Sequence, residues 1–142
     1  MTSPSFPALE CRLGLGRVSV ATDAIDILGE YPVGARLPLT QRLSYSVGVW
    51  QDDVVLSVSL SQVERTVPRA IGLLLDMPGS AIRWAFEIGA PLGLVEIAAL
   101  ARPQSEATRW LRTATLIRGD AIQFVDVRTL VHDLDAQVGR LA

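Results

Sequence analysis

Few residues in this chain have the type and spacing that catalysis needs, and each reads differently in its local setting. His132 is the only histidine, and Asp133 follows it directly. A histidine and a carboxylate can act as general base and orienter, but that chemistry also needs a hydroxyl or thiol nucleophile within reach. The sequence places no serine or cysteine to supply one, and a solvated histidine on a helix surface accounts for the position. Cys11 lies in the alternating run "LECRL", where a small buried hydrophobe is the expected role. Asp52 and Asp53 are neighbours in a tight turn, a setting that favours aspartate for local backbone bonding. Adjacent carboxylates cannot converge on a substrate as paired glycosidase carboxylates do. The "GLG" of residues 14 to 16 lacks the third glycine and the following helix of a dinucleotide fingerprint. No histidine, cysteine and carboxylate cluster has metal-ligand spacing, and no cofactor is expected. By elimination the chain reads as a non-catalytic binding or scaffolding protein.

Composition narrows the setting. A chain of 142 residues fits one domain or two small lobes sharing a core, large enough to fold without staples. A single cysteine permits no intramolecular disulfide, which fits a reducing, cytoplasmic compartment. The start "MTSPSFPALECR" lacks the basic and apolar regions of a signal peptide, and no stretch approaches the ~20 apolar residues that span a bilayer. Neither export nor membrane insertion is expected. The formal charge is −2, all 13 basic residues are arginines, and they are spread singly, so a nucleic-acid partner is not expected. The apolar fraction of 49% is high for a soluble domain, and either a well-filled core or a partner-covered surface would account for it.

Periodicity supplies the elements that must position any site. Leu9, Cys11, Leu13 and Leu15 alternate with polar residues and glycine, and a turn at Gly14 or Gly16 leads to a second strand with Val18 and Val20 inward. "DAIDILGEYP" reads as a bend or helical turn, followed by a short strand near residues 35 to 39. "SYSVGVWQDDVVLSVSL" is a hairpin, read with Tyr45, Val47, Val49, Leu56, Val58 and Leu60 facing one way and Ser44, Ser46, Gly48 and an exposed Trp50 facing the other. Residues 61 to 80 read as a crossover with a short helix. Ile82, Trp84, Phe86 and Ile88 point inward from the next strand, and "APLGLVEIAALARP" answers it after the turn at Gly89 to Pro91. Residues 111 to 131 repeat the layout of the first acidic-turn hairpin, with the turn at Gly119 and Asp120. The tail then changes to helical spacing, with Leu130, Leu134, Val138 and Leu141 on one stripe.

The order of these segments resembles the CheW-like domain of bacterial chemosensory adaptors over nearly the whole chain. Ala24, Asp26, Ile27 and Leu28 stand where that family has "V-x-E-I-L". Gly48 and Val49 with "VVLSVSL" match a second signature, "FEIGAPLGLVEI" a third, and "GDAIQFVDVRTLV", which keeps Asp126, is similar to the family's "G-R-L-V-P-V-L-D-L-x-x-L". The resemblance implies a mostly β fold of two five-stranded β-barrel lobes sharing a hydrophobic core. Lobe 1 is expected at about 8–62, a crossover at about 63–80, lobe 2 at about 81–127 and a C-terminal helix at about 128–140. It also implies a role coupling a CheA-type histidine kinase to a chemoreceptor or another regulator. The departures are local: "WQDD" replaces an Asn-x-Arg-Gly turn, and Ser59 stands where an aspartate is usual.

A partner-binding surface is accordingly expected along Asp26, Ile27, Leu28 and Tyr31 together with Val49, Trp50, Asp52 and Asp53. In it Trp50 would be the aromatic anchor, and the aspartates would select a basic partner, the usual division of labour at interfaces; the alternative is that Trp50 folds back over the barrel edge and the aspartates merely cap the turn. Self-association through edge strands is also compatible with this pattern. The alternative is a small β-barrel that binds a small molecule in a crevice between its lobes, which would need an enclosed cavity with converging polar groups.

Overall fold

The structure, a computed structural model, describes residues 4–14, 16–40, 42–60 and 69–141, with side chains as far as residue 137. Strands β1 (Phe6–Leu13) and β2 (Gly16–Ala21) form the first hairpin, with Gly14 in a left-handed conformation at its turn. A single helical turn, Thr22–Ala24, leads into β3 (Ile25–Pro32) and the two-residue β4 (Leu37–Pro38). Then come β5 (Ser44–Trp50), β6 (Asp53–Ser59), β7 (Arg69–Leu75) and β8 (Trp84–Ile88). The chain ends with β9 (Ala90–Leu100), β10 (Leu111–Leu116), β11 (Ala121–Val125) and the helix α1 (Val127–Leu141). The protein is thus mostly β, with two sheets and one C-terminal helix.

Two local expectations change. The helical turn read into "DAIDIL" stops at Ala24, and Ile25 onward is strand. Residues 69–75, expected within a crossover, form β7 instead, between β3 and β8. A central strand buried on both faces is a continuous apolar run, which periodicity alone does not distinguish from a short buried helix. The rest of that crossover, residues 61–68, lies outside the described residues, as do Leu15 and the side chains of Val138 and Leu141.

The two lobes are not successive segments of chain. β1, β2, β11, β10 and β9 close into a barrel, while β3, β7, β8, β6, β5 and β4 form a second sheet. The expected division at about 8–62 and 81–127 therefore cuts across both, since the N-terminal hairpin belongs with the last three strands and β8 belongs with the middle ones. β8 and β9 likewise do not form a hairpin, because the chain changes sheets at Gly89. The N–H of Gly89 donates to the Arg12 carbonyl oxygen at 2.7 Å, and a Cβ there would lie 2.9 Å from that oxygen. The internal repeat takes a definite form: each acidic-turn hairpin gives its second strand a parallel neighbour, β6 with β8 and β11 with β2. The second sheet curls back on itself, because Val33 bridges to Gly48 and Leu37–Pro38 pairs with Ser44 and Tyr45.

A shared core joins the lobes and the helix. It includes Cys11, Val18 and Val20 from the barrel, Leu73, Trp84 and Phe86 from the second sheet, and Leu130, Val131 and Leu134 from α1. Asp126 caps the helix, its Oδ1 accepting from the Thr129 N–H at 3.1 Å. One helical turn further on than Val131, Asp135 accepts from Trp84 Nε1 at 3.0 Å and from Ser80 Oγ at 2.9 Å, tying α1 to β8. Inside the barrel, Phe6 and Phe124 meet edge to face, with centroids 5.8 Å apart.

The second sheet encloses its own cluster, centred on Tyr31 and Trp50, and here the faces of β5 are the reverse of those expected. Ser46, Gly48 and Trp50 point inward, Trp50 being 6% exposed, whereas Val47 and Val49 are 50% and 43% exposed. The reason is volume. The two rings, their centroids 4.6 Å apart, fill much of a narrow interior, and several positions that face them are glycine. A Cβ at Gly72 would meet Tyr31 Oη at 2.6 Å, one at Gly48 would meet Pro32 O at 3.0 Å, and one at Gly29 would meet Trp50 at 3.2 Å. Tyr31 Oη shares a 2.6 Å hydrogen bond with Ser57 Oγ, and Arg36 donates to the buried Glu87 carboxylate at 2.7 Å.

The turn after Trp50 carries backbone strain. Trp50 pairs with Asp53, and the two loop residues, Gln51 and Asp52, have φ of 49° and 70°. This is the positive-φ pattern of a type I′ hairpin turn, best served by Asn-Gly. Replacing Gln51 with Asn and Asp52 with Gly is expected to raise stability by about 1 kcal/mol by relieving left-handed strain, read as a shift of the urea midpoint at unchanged slope. In the core, Trp84→Ala should cost about 3–5 kcal/mol, since it leaves a cavity and strips Asp135 of a donor. An unchanged melting temperature for that variant would contradict the packing described.

Candidate functional site

The candidate catalytic residues lie on three different elements, Cys11 on β1, His132 with Asp133 on α1, and Asp52 with Asp53 at the β5–β6 turn. His132 is exposed on α1, and its neighbour Asp133 is held by Arg109, whose Nε lies 3.2 and 3.0 Å from the two carboxylate oxygens. That hydrogen bond and the guanidinium charge hold the Asp133 carboxyl below its ordinary range. Asp133 therefore serves an ion pair between α1 and the residue before Trp110. Cys11 is fully buried, and burial, reinforced by the Glu10 charge, pushes its thiol up to about 12. A thiol so disposed carries almost no thiolate at neutral pH and is chemically inert. Among the described residues, no group of three or more His, Cys, Asp or Glu side chains is arranged to hold a metal ion.

The second sheet does bring together the two segments that the sequence singled out. β3 carries Asp26, Ile27, Leu28 and Tyr31, and the end of β5 with its turn carries Val49, Trp50, Asp52 and Asp53. Between them runs a cleft of about 410 Å³ lined by Ile27, Leu28, Tyr31, Val49, Trp50 and Arg69, among others. It is the seam left where the curled sheet fails to close. β3 pairs with β7 along its length, and only Val33, just beyond its end, bridges to β5. Asp26 is the extra residue of a β-bulge between Ile25 and Ile27.

Within this site the roles differ from those expected. Trp50 is a wall of the cleft and part of the inner cluster, stacked on Tyr31, and is not an exposed anchor. Asp53 faces Arg83, with Nη1 to Oδ2 at 3.3 Å, so its charge is partly offset on the surface. Asp26 and Asp52 are exposed and form no ion pair among the described residues. Glu30 and Arg69 pair at 2.6 Å on the rim, both about half exposed.

A neighbouring surface, of which the expected site includes only Val49, lies on the outer face of β5, the face read as inward. Val47, Val49 and Val54, the last 66% exposed, share the outer face of the β5–β6 hairpin, Val49 lying directly opposite Val54. Leu37, 47% exposed, stands opposite Tyr45 on the same face. The signal that could have found them is the glycine and serine spacing around Trp50: small residues on the face of a large ring mark a filled interior. At the junction between the lobes, where the alternative reading puts a ligand crevice, Trp84, Phe86, Trp110 and Leu130 fill the core, and an open cleft of about 590 Å³ lined by Thr40, Leu43, Trp110, Leu130 and Gln137, among others, lies beside them. No described helix is long and apolar enough to cross a membrane.

No family model and no curated protein matches the chain by sequence. Among solved structures, the scaffolding protein TtCheW from Thermoanaerobacter tengcongensis is similar, with a TM-score of 0.61 at 8% identity, over 88% of this chain and 89% of that one. The two chains share a fold, the two-lobed CheW-like arrangement of β-strands, across almost their whole length.

Proposed function

We propose that this chain is a non-catalytic adaptor of a bacterial chemosensory pathway, working in the cytoplasm and binding a CheA-type histidine kinase, a chemoreceptor or another regulator. The observation that carries the reading is the likeness of fold to a scaffolding protein over 88% of the chain. The outer face of the β5–β6 hairpin supports it: three exposed valines in register form a contiguous apolar strip that a solitary soluble protein has no reason to display. With Asp53 partly offset by Arg83, the charge at the turn rests chiefly on Asp52, so burial of the strip contributes more to association than the acidic turn does.

Val47→Glu combined with Val54→Glu tests this. Both side chains are exposed, so the melting temperature should stay within a degree or two of the parent. Capture of the kinase or receptor encoded beside this chain should fall at least about tenfold, because two charges would have to be desolvated in the interface. Full retention of both partners by the double variant would remove this face from the adaptor surface, and failure of the unaltered chain to bind either would overturn the reading itself.

A further inference from the structure

We propose that the seam between β3 and β5 receives an extended, basic segment of a partner protein, which pairs as an added strand with the free edge of β3. The proposal rests on the reading of the chain as a partner-binding protein and adds the mode and chemistry of one contact. Every second residue of an antiparallel edge strand turns its N–H and C=O away from its neighbour, and β3 has its neighbour, β7, on one side only. Among the described residues no strand covers the other side along Ile27–Tyr31. The two ends of this stretch are blunted, by the bulge at Asp26 and by Pro32, which cannot donate. What remains between them is five residues without proline, the length of a short strand.

The cleft alongside fixes the side chains such a segment would carry. Its inner wall is apolar, formed by Ile27, Trp50 and the bare backbone of Gly29, so inward positions must be small and apolar. Its rim is acidic at the end away from the Val33–Gly48 bridge, where Asp26 adjoins Ile27 and Asp52 adjoins Gln51; neither is offset among the described residues, whereas Glu30 and Arg69 cancel. Outward positions of an incoming strand are therefore best filled by arginine or lysine. The same charges disfavour a second copy of this chain, because β3 paired with β3 would bring Asp26 and Glu30 against their own kind.

The experiment uses the intact chain and a capped, dye-labelled hexapeptide of alternating valine and arginine, followed by fluorescence anisotropy and by amide hydrogen exchange. Saturable binding is expected, weakening as salt rises, with exchange slowed selectively at residues 27–31. Replacing the arginines of the peptide with glutamates, or N-methylating its amides along one edge, should lower affinity at least about tenfold. Asp26→Asn with Asp52→Asn should have a similar effect at unchanged melting temperature. No saturable binding, equal affinity for the glutamate or N-methylated peptide, or protection elsewhere on the chain would overturn the proposal. So would a concentration-dependent dimer whose formation slows exchange at residues 27–31. These outcomes are separable from failure of the adaptor reading, because capture of kinase or receptor through Val47 and Val54 does not involve the seam.

Discussion

The feature on which most of the second lobe depends is the pair of rings, Tyr31 and Trp50, packed 4.6 Å apart inside a curled sheet that is barely wide enough for them. An aromatic contact of this kind contributes about 0.5–1.5 kcal/mol beyond burial, but its geometric effect is larger than its energy. Around the rings the strands present mostly small residues, Gly29, Ser46, Gly48, Ser57, Gly72 and Ala85, beside Val33, Val55 and Leu74. The aliphatic residues of β5 then have only the outside left, and Val47 and Val49 point to solvent. The apolar surface of this protein is thus the counterpart of how its interior is filled.

The same crowding bears on the seam. A barrel filled by two rings sits open where Trp50 reaches the wall, and β3 meets β5 only through the bridge from Val33 to Gly48. In the other lobe β9, eleven residues long, pairs with β1 along most of its length and with β10 at its end, and the barrel closes. The equivalent closing stretch in the second lobe is interrupted: β3 serves one edge, and β4, five residues later, serves the other. One lobe is a completed barrel, and the other keeps a strand edge and an apolar cleft in reserve.

The shared core explains how these two lobes act as one body. Strands of the barrel, strands of the second sheet and α1 all contribute to a single cluster, and the helix is held at its start by Asp126 and further along by the hydrogen bonds of Asp135. Interleaving adds to this, since the chain leaves the barrel after β2, builds the second sheet and returns at β9. The second sheet is thus a continuous insertion, residues 25–88, in a barrel whose own strands come from both ends of the chain. A body of this kind holds its outer strand faces at fixed separations.

The mostly β class, most strand positions, the acidic-turn repeat, the C-terminal helix and the burial of Cys11, Trp84 and Phe86 were legible in the sequence. These follow from local period and composition, which act over a few residues and need no knowledge of the fold. Of the expected site residues, Ile27, Leu28, Tyr31, Val49 and Trp50 line one cleft. Three matters were decided only by the tertiary structure. Which strands pair is set by which edges are left free, so β8 joined β6 and β7 instead of β9. Whether "AIGLLL" is strand or helix depended on both its faces being covered, which the run itself does not state. Which face of β5 is inside was settled by volume: alternation gives two faces but no sign, and hydrophobicity favours the valines until one ring, Tyr31, contributed from a distant strand, fills the interior beside Trp50 and leaves them no room.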